Sequence, residues 1–280
     1  MGSLSWFGGP IVGCFIFLSG YGLAVSFNKK GNDYLQCFFS KRIAKLLPWF
    51  IILSAVAIFL RHWLYDLSFK EIFQNLVFKG IPPLASSWFV YAILILYCGF
   101  YLCARIYKTP IHTGIALTIF TLVYMFFFWF VGFGWISAAP AFPLGYFAAL
   151  HQKRMTTILR RFPILINISI ILFMIASVIL AEYRHDIFQP MESAIIPVAV
   201  YIILLAIKLP PNRILIFLGT ISWEIFLMQG LMFTLKWPIS AEYGLIIIFT
   251  GAIAGGGLLW HLSQRFFYGS RNLPRAQYYK

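Results

Sequence analysis

The sequence predicts an all-α, polytopic membrane protein: one integral-membrane domain over residues 1–280 with about nine transmembrane helices. Three observations predict it. Of its 280 residues, 61% are hydrophobic and 11% charged, with mean hydropathy +0.84. A soluble domain is about 45–50% apolar and about 25% charged, so a soluble fold of this composition would lack polar surface to cover itself. The apolar residues also fall in long blocks, such as Ile51–Leu60, Ile115–Val131 and Ile164–Ala181. A helix crossing a hydrocarbon core needs roughly 20 such residues, whereas membrane strands would show alternating segments of about 10. Finally, the basic residues lie in short stretches between the blocks, the signature of orientation in a bilayer.

Apolar runs read against Pro, Gly and charge place the spans at 8–27, 45–63, 86–106, 111–131, 134–150, 162–181, 191–208, 214–236 and 242–264. The first runs out at Lys29 and Lys30, and Lys41, Arg42 and Lys45 lead into the second. Arg105 and Lys108 separate the third from the fourth. The fifth is short and carries Pro140 and Pro143, which marks it as tilted, broken or re-entrant. Lys153, Arg154, Arg160 and Arg161 precede the sixth, and Lys208 and Arg213 lie between the seventh and eighth. Arg265, Arg271, Arg275 and Lys280 follow the ninth.

With sides alternating, 17 of the 22 basic residues fall on the side of the 28–44 loop. Arg61, Lys70, Lys79, Arg184 and Lys236 fall opposite, together with six of the eight acidic residues: Asp66, Glu71, Glu182, Asp186, Glu192 and Glu242. The positive-inside rule then makes the C-terminus cytoplasmic and the N-terminus external, in a multi-pass protein of the cytoplasmic membrane. One further helix upstream of Met1 would regularise the odd number of spans. Net charge is +14, and orientation accounts for it without nucleic acid as a partner. Cys14, Cys37, Cys98 and Cys103 form no CxxC pair and read as small apolar side chains; no disulfide and no metal site is expected.

Four polar stretches interrupt the apolar background. They are Phe15-Ile-Phe-Leu-Ser-Gly-Tyr-Gly-Leu-Ala24, Phe38-Phe-Ser-Lys-Arg-Ile-Ala-Lys-Leu-Leu-Pro48, Ser87-Trp-Phe-Val-Tyr91 continuing to Tyr97, and Leu218-Gly-Thr-Ile-Ser-Trp-Glu-Ile-Phe-Leu-Met-Gln229. Arg42 and Lys45, three apart, share a helix face and can grip phosphate at a cytoplasmic mouth, or simply anchor the span by snorkelling. Glu224 reads as the only carboxylate deep in a span, about ten residues from each end of its helix. A charge there costs at least ~2.5 kcal/mol, so it is protonated, paired or facing a wet cavity, where Ser222 and Gln229 are its neighbours. Ser19 has no acid or His near it in sequence to activate it, so it reads as a hydrogen bond to a neighbouring helix. Gly20, Gly22, Gly251, Gly255, Gly256 and Gly257 read as helix-packing surfaces. Trp88 reads first as an interfacial aromatic and second as a cavity wall. The five histidines (His62, His112, His151, His185 and His261) read as interfacial, with His261 and Gln264 lining a cytoplasmic vestibule in an alternative reading.

Taken in order from about residue 8 to 268, these stretches resemble acyltransferase family three of integral-membrane proteins. That family's pattern has a Phe-Phe-x-x-Ser-Gly-Phe segment, then Arg-x-x-Arg before a Pro. A Trp-Phe helix with a later Tyr follows, and near the end comes a Gly-x-x-Ser-Tyr-x-x-Tyr-Leu-x-His helix. The resemblance implies transfer of an acyl group, typically acetyl, to a hydroxyl of a surface glycan or lipid-linked sugar. The donor would be acyl-CoA, with no bound cofactor. Arg42 and Lys45 are then expected at the donor, Ser19, Tyr21, Trp88, Tyr97, Ser222 and Gln229 around the substrate cavity, and Glu224 in catalysis.

Three departures accompany the resemblance. Arg-x-x-Arg appears as Arg42-Ile-Ala-Lys45, the final His is Gln229, and the opening helix with an Arg and the His expected to act as general base does not appear after Met1. The chain by itself is therefore expected to show little activity. A transporter or flippase using Glu224 as a coupled site, and a non-catalytic membrane partner, are the competing expectations.

Overall fold

The computed structural model describes residues 8–85, 87–131, 136, 138–164, 168, 170–172, 175, 179, 185–206, 212–235 and 241–266. Every regular element among them is a helix: α1 (Gly8–Lys30), α2 (Asn32–Gln36), a π-helical stretch (Phe39–Ile43), α3 (Ala44–Tyr65), α4 (Phe69–Lys79), α5 (Trp88–Ile106), α6 (Pro110–Val131), α7 (Ala141–Leu150), α8 (Gln152–Arg161), α9 (His185–Ala206), α10 (Arg213–Thr220), α11 (Ser222–Thr234) and α12 (Ala241–Phe266). Gly9–Lys30, Leu46–Tyr65, Trp88–Ile106 and Pro110–Val131 are each long and apolar enough to cross a bilayer, and the bent pair α10–α11 makes a fifth such segment. The protein is thus all-α and multi-pass. The sixth predicted span, 162–181, falls largely outside the described residues.

The chain divides into two compact units. One comprises Met1–Lys45, Asn75–Ile81 and Trp88–Pro210. Its centre is α1, which meets α7 backbone to backbone. A Cβ on Gly20 would lie 2.1 Å from the Phe142 carbonyl oxygen, and one on Gly145 2.0 Å from that of Phe17. At Gly13, α1 presses equally close to the Ser193 carbonyl of α9. Helices in lipid gain nothing from hiding apolar surface from one another, so dispersion across such small-residue contacts holds them together. α7, at ten residues, spans about 15 Å, half a hydrocarbon core, in keeping with the broken span expected around Pro140 and Pro143. α9 begins earlier than predicted. Glu192, counted among the outer-side acids, lies inside that helix with 3% of its surface exposed.

The second unit comprises Leu46–Gln74, Pro82–Ser87 and Pro211–Lys280. Here α12 packs on α11 through its glycines: Gly255 faces Met228, and Gly256 meets the backbone nitrogen of Ile225. A Cβ on Gly257 would meet no atom of the described residues within 4 Å, so Gly257 is not part of the packing surface expected of it. The far end of α11 is pinned by Thr234, whose hydroxyl accepts from the Ala85 N–H while its carbonyl accepts from the Tyr65 hydroxyl at 2.7 Å.

The predicted continuous eighth span is corrected. α10 and α11 meet at 62° because Ile221 leaves helical geometry (φ −100°, ψ 9°). Gly219 and the β-branched Thr220 and Ile221 are weak helix formers. The Ser222 hydroxyl also takes the Gly219 carbonyl at 2.9 Å, offering the backbone a local alternative to the helical ladder.

Between α3 and α4 the chain turns at Asp66, which has φ 51°, a left-handed conformation that Asp tolerates. α4 then opens with a reciprocal cap. The Glu71 N–H donates to the Ser68 hydroxyl at 3.2 Å, while the Glu71 carboxylate accepts from the Ser68 N–H and hydroxyl, both at 2.8 Å. Two orphan donors of the first turn are satisfied this way. These bonds favour the ionised carboxyl and hold it below its ordinary value of 4.5. The cap is therefore fully present above pH 4.5 and is lost as pH falls through the depressed value. Amide exchange in the first turn of α4, corrected for intrinsic rate, is expected to quicken over that acid range. Glu71→Gln should abolish the pH dependence, and exchange that is flat with pH in the wild type would contradict the cap.

Candidate functional site

In the first unit, the C-terminal end of α1, the π-helical stretch and α5 bring three of the polar motifs together. The π stretch Phe39–Ile43 carries Arg42; its wider turn departs from the α-helical register on which the Arg42–Lys45 spacing was read. The Arg42 Nε donates to the Tyr34 hydroxyl at 2.7 Å, and one Nη2–H reaches the Ser26 hydroxyl at 3.4 Å. Gly22 lies beside the guanidinium: a Cβ there would sit 3.9 Å from Nη2, in ordinary contact. Gly22 thus faces Arg42 and is not a close helix-packing glycine, unlike its neighbour Gly20. Ser19 is in hydrogen-bonding contact with the buried Tyr97 hydroxyl, and Arg42 is close enough to bear on that phenol electrostatically. Below them Phe38 is fully buried, its ring against Tyr34, Tyr97, Phe100 and Tyr101 at 5.6–6.0 Å between centroids.

The chemistry of this cluster follows from its inventory. A guanidinium carries five N–H donors and cannot deprotonate. Two of Arg42's are engaged by neutral hydroxyls, and among the described residues no carboxylate pairs with it. A half-buried cation fixed in orientation and not neutralised is suited to an anionic oxygen, phosphate above all.

The remaining candidates lie elsewhere. Tyr21, next to Gly22, points away from Arg42's partners: its hydroxyl donates to Gln152 Oε1 at 2.8 Å, and its ring packs on Tyr201. Trp88 opens α5 and packs against the cluster of Ala92, Tyr124, Ile136 and Ala139; nine residues of helix, about 13 Å, separate it from Tyr97. The side chain of Lys45 is outside the described residues.

Ser222, Glu224 and Gln229 all belong to α11 in the second unit. The break corrects the position of Glu224, which lies in the first turn of α11 and not mid-helix. There the positive end of the helix dipole favours a carboxylate. Its Oε2 is buried and has no hydrogen-bond partner among the described residues. Ser54 Oγ, Arg61 Nε and Gln264 Oε1 of the same unit are likewise buried and unpartnered. Each such atom costs about 1–3 kcal/mol, so α3, α11 and α12 are where a polar guest would be rewarded.

Of the histidines, His62 donates from Nδ1 to the Leu67 carbonyl and stacks on Phe69. His112 bonds Thr109, and His151 stacks on Phe147. Tyr34, Ser26 and Gln152 escaped the sequence reading. Ser19, Gly22 and Ser26 fall at i, i+3 and i+7, a small polar stripe on one face of α1 that was available as a signal. No helical spacing relates Tyr34 to Arg42.

The profile of a family described as an acyltransferase domain matches residues 3–262. Among curated proteins and among solved structures, nothing matches.

Proposed function

The chain belongs to acyltransferase family 3, and from that premise we propose that it binds acyl-CoA at Arg42 and serves transfer of its acyl group to a hydroxyl of a surface glycan or lipid-linked sugar. The observation that carries the donor assignment is the fixed Arg42 guanidinium, oriented by Tyr34 and Ser26 yet paired with no carboxylate among the described residues. Phosphate groups of the CoA moiety are the anions of the right geometry. By the charge reading, Arg42 faces the cytoplasm of the cell membrane, where acyl-CoA is made. Lys45 adds charge on the same segment. Ser19 and Tyr97 stand beside Arg42 at the donor site, whereas Tyr21 and Trp88 pack elsewhere and take no part in it.

Transfer needs a base to take the acceptor's proton as its oxygen attacks the thioester carbon, with the CoA thiolate leaving. A group with a pKa near neutrality serves best. On α11 of the second unit, Glu224 offers a carboxylate oxygen without a partner among the described residues, while Ser222 and Gln229, seven residues apart, share the opposite face of that helix; we assign Glu224 to the acceptor.

Equilibrium binding of labelled acetyl-CoA to the full chain in nanodiscs tests the donor site. Arg42→Ala is expected to weaken binding about 10-fold to 100-fold, the worth of a charge-assisted hydrogen bond, with Arg42→Lys intermediate. Acetyl-pantetheine, which lacks the phosphates, should compete poorly. Equal affinity of wild type and Arg42→Ala would remove the donor assignment.

A further inference from the structure

Beyond that reading, we propose that α4 is an interfacial helix that lies in the headgroup layer of the bilayer, with Phe69, Phe73 and Val77 inserted among lipid chains and Lys70 and Lys79 on lipid phosphates. At about 100° per residue, Phe69, Ile72, Phe73, Leu76 and Val77 share one arc of about 140°. The arc is divided in use. Ile72 is buried, and Leu76 packs beside Trp88 and Tyr91 on the cluster of Ala92, Tyr124, Ile136 and Ala139. The other edge is open: Phe69 is 58% exposed, Phe73 65% and Val77 45%. Gln74, Glu71 and Asn75 occupy the opposite face, with Phe78 among them.

Two further features name lipid as the occupant. The lysines stand one at each border of the apolar arc, where a long cationic side chain lays its stem along acyl chains and its ammonium on phosphate. The helix also begins where a span ends. α3 closes at Tyr65 and α4 opens at Phe69, so three linking residues hold it within about 10 Å of the hydrocarbon edge. On α3, near that end, Phe59 and Trp63 are exposed as well.

Spin labels on the full chain in nanodiscs test this. Cys14, Cys37, Cys98 and Cys103 would be replaced by alanine and single cysteines introduced as Phe69→Cys, Phe73→Cys, Val77→Cys and Gln74→Cys. Labels at 69, 73 and 77 are expected to be severalfold more accessible to oxygen than to a water-soluble nickel chelate, with the order reversed at 74. Three positions on one face keep the result readable if one variant fails to fold. Nickel access at 69, 73 and 77 equal to that at 74 would overturn the proposal, as would labels there shielded from both reagents, which would mean protein covers the face.

Discussion

Gly145→Ala is expected to lower the unfolding temperature of the solubilised chain more than any alanine substitution on a lipid-facing position of the same helices. The added methyl would stand 2.0 Å from the Phe17 carbonyl oxygen. That atom belongs to the backbone of α1, so no rotamer change relieves the clash and the helices must part. Overpacking costs about 1–3 kcal/mol where side chains can yield; here the upper end is expected. Gly20→Ala should behave alike, because its methyl would meet the Phe142 carbonyl at 2.1 Å. The two glycines guard one contact, so the double variant should lose less than the sum of the singles. Thermal melts of the three variants in detergent would show this. A Gly145→Ala chain that melts with the wild type would mean that α1 and α7 are not in backbone contact.

Phe38→Ala is the other large loss expected, about 3–5 kcal/mol for a fully buried ring replaced by a methyl. Phe38 is the hub of an aromatic cluster in which Tyr34 and Tyr101 lie at 5.8 and 5.7 Å and Phe100 at 5.6 Å. Its removal should also loosen Tyr34, the residue that aims Arg42. Stability and acetyl-CoA binding are therefore predicted to fall together in Phe38→Ala. Phe38→Leu, which keeps most of the volume, should recover stability first. Tyr34→Phe separates the two effects: it removes the 2.7 Å bond to Arg42 but keeps the ring, and should weaken binding at little cost in stability. Full donor affinity in Tyr34→Phe would show that the tether to Arg42 does not matter.

Fold class and the long spans are local properties, and the sequence alone determined them. A run of apolar residues long enough to cross a bilayer must cross it as a helix, because every backbone polar group has to find its partner within the run. Gly8–Lys30, Trp88–Ile106, Pro110–Val131 and Ala241–Phe266 accordingly lie close to where hydropathy put them. The close approach at Gly20 was legible because glycine lets helix backbones meet within a span.

What tertiary structure alone decided is where helices bend and which polar groups meet. Gly219 to Ser222 read as four tolerable residues in an apolar run, and only in the folded chain do they turn α11 by 62° from α10 and move Glu224 from mid-helix to a first turn. Gly20 and Gly22 look alike in sequence, yet one faces the backbone of α7 and the other a guanidinium. Arg42 finds Tyr34 and Ser26 across a turn and a π-helical stretch, with no period linking them, and Glu192 is buried on α9 next to Ser193, where α1 presses close. Such contacts depend on the relative placement of elements, and in lipid that placement follows small differences in packing that hydropathy and spacing do not encode.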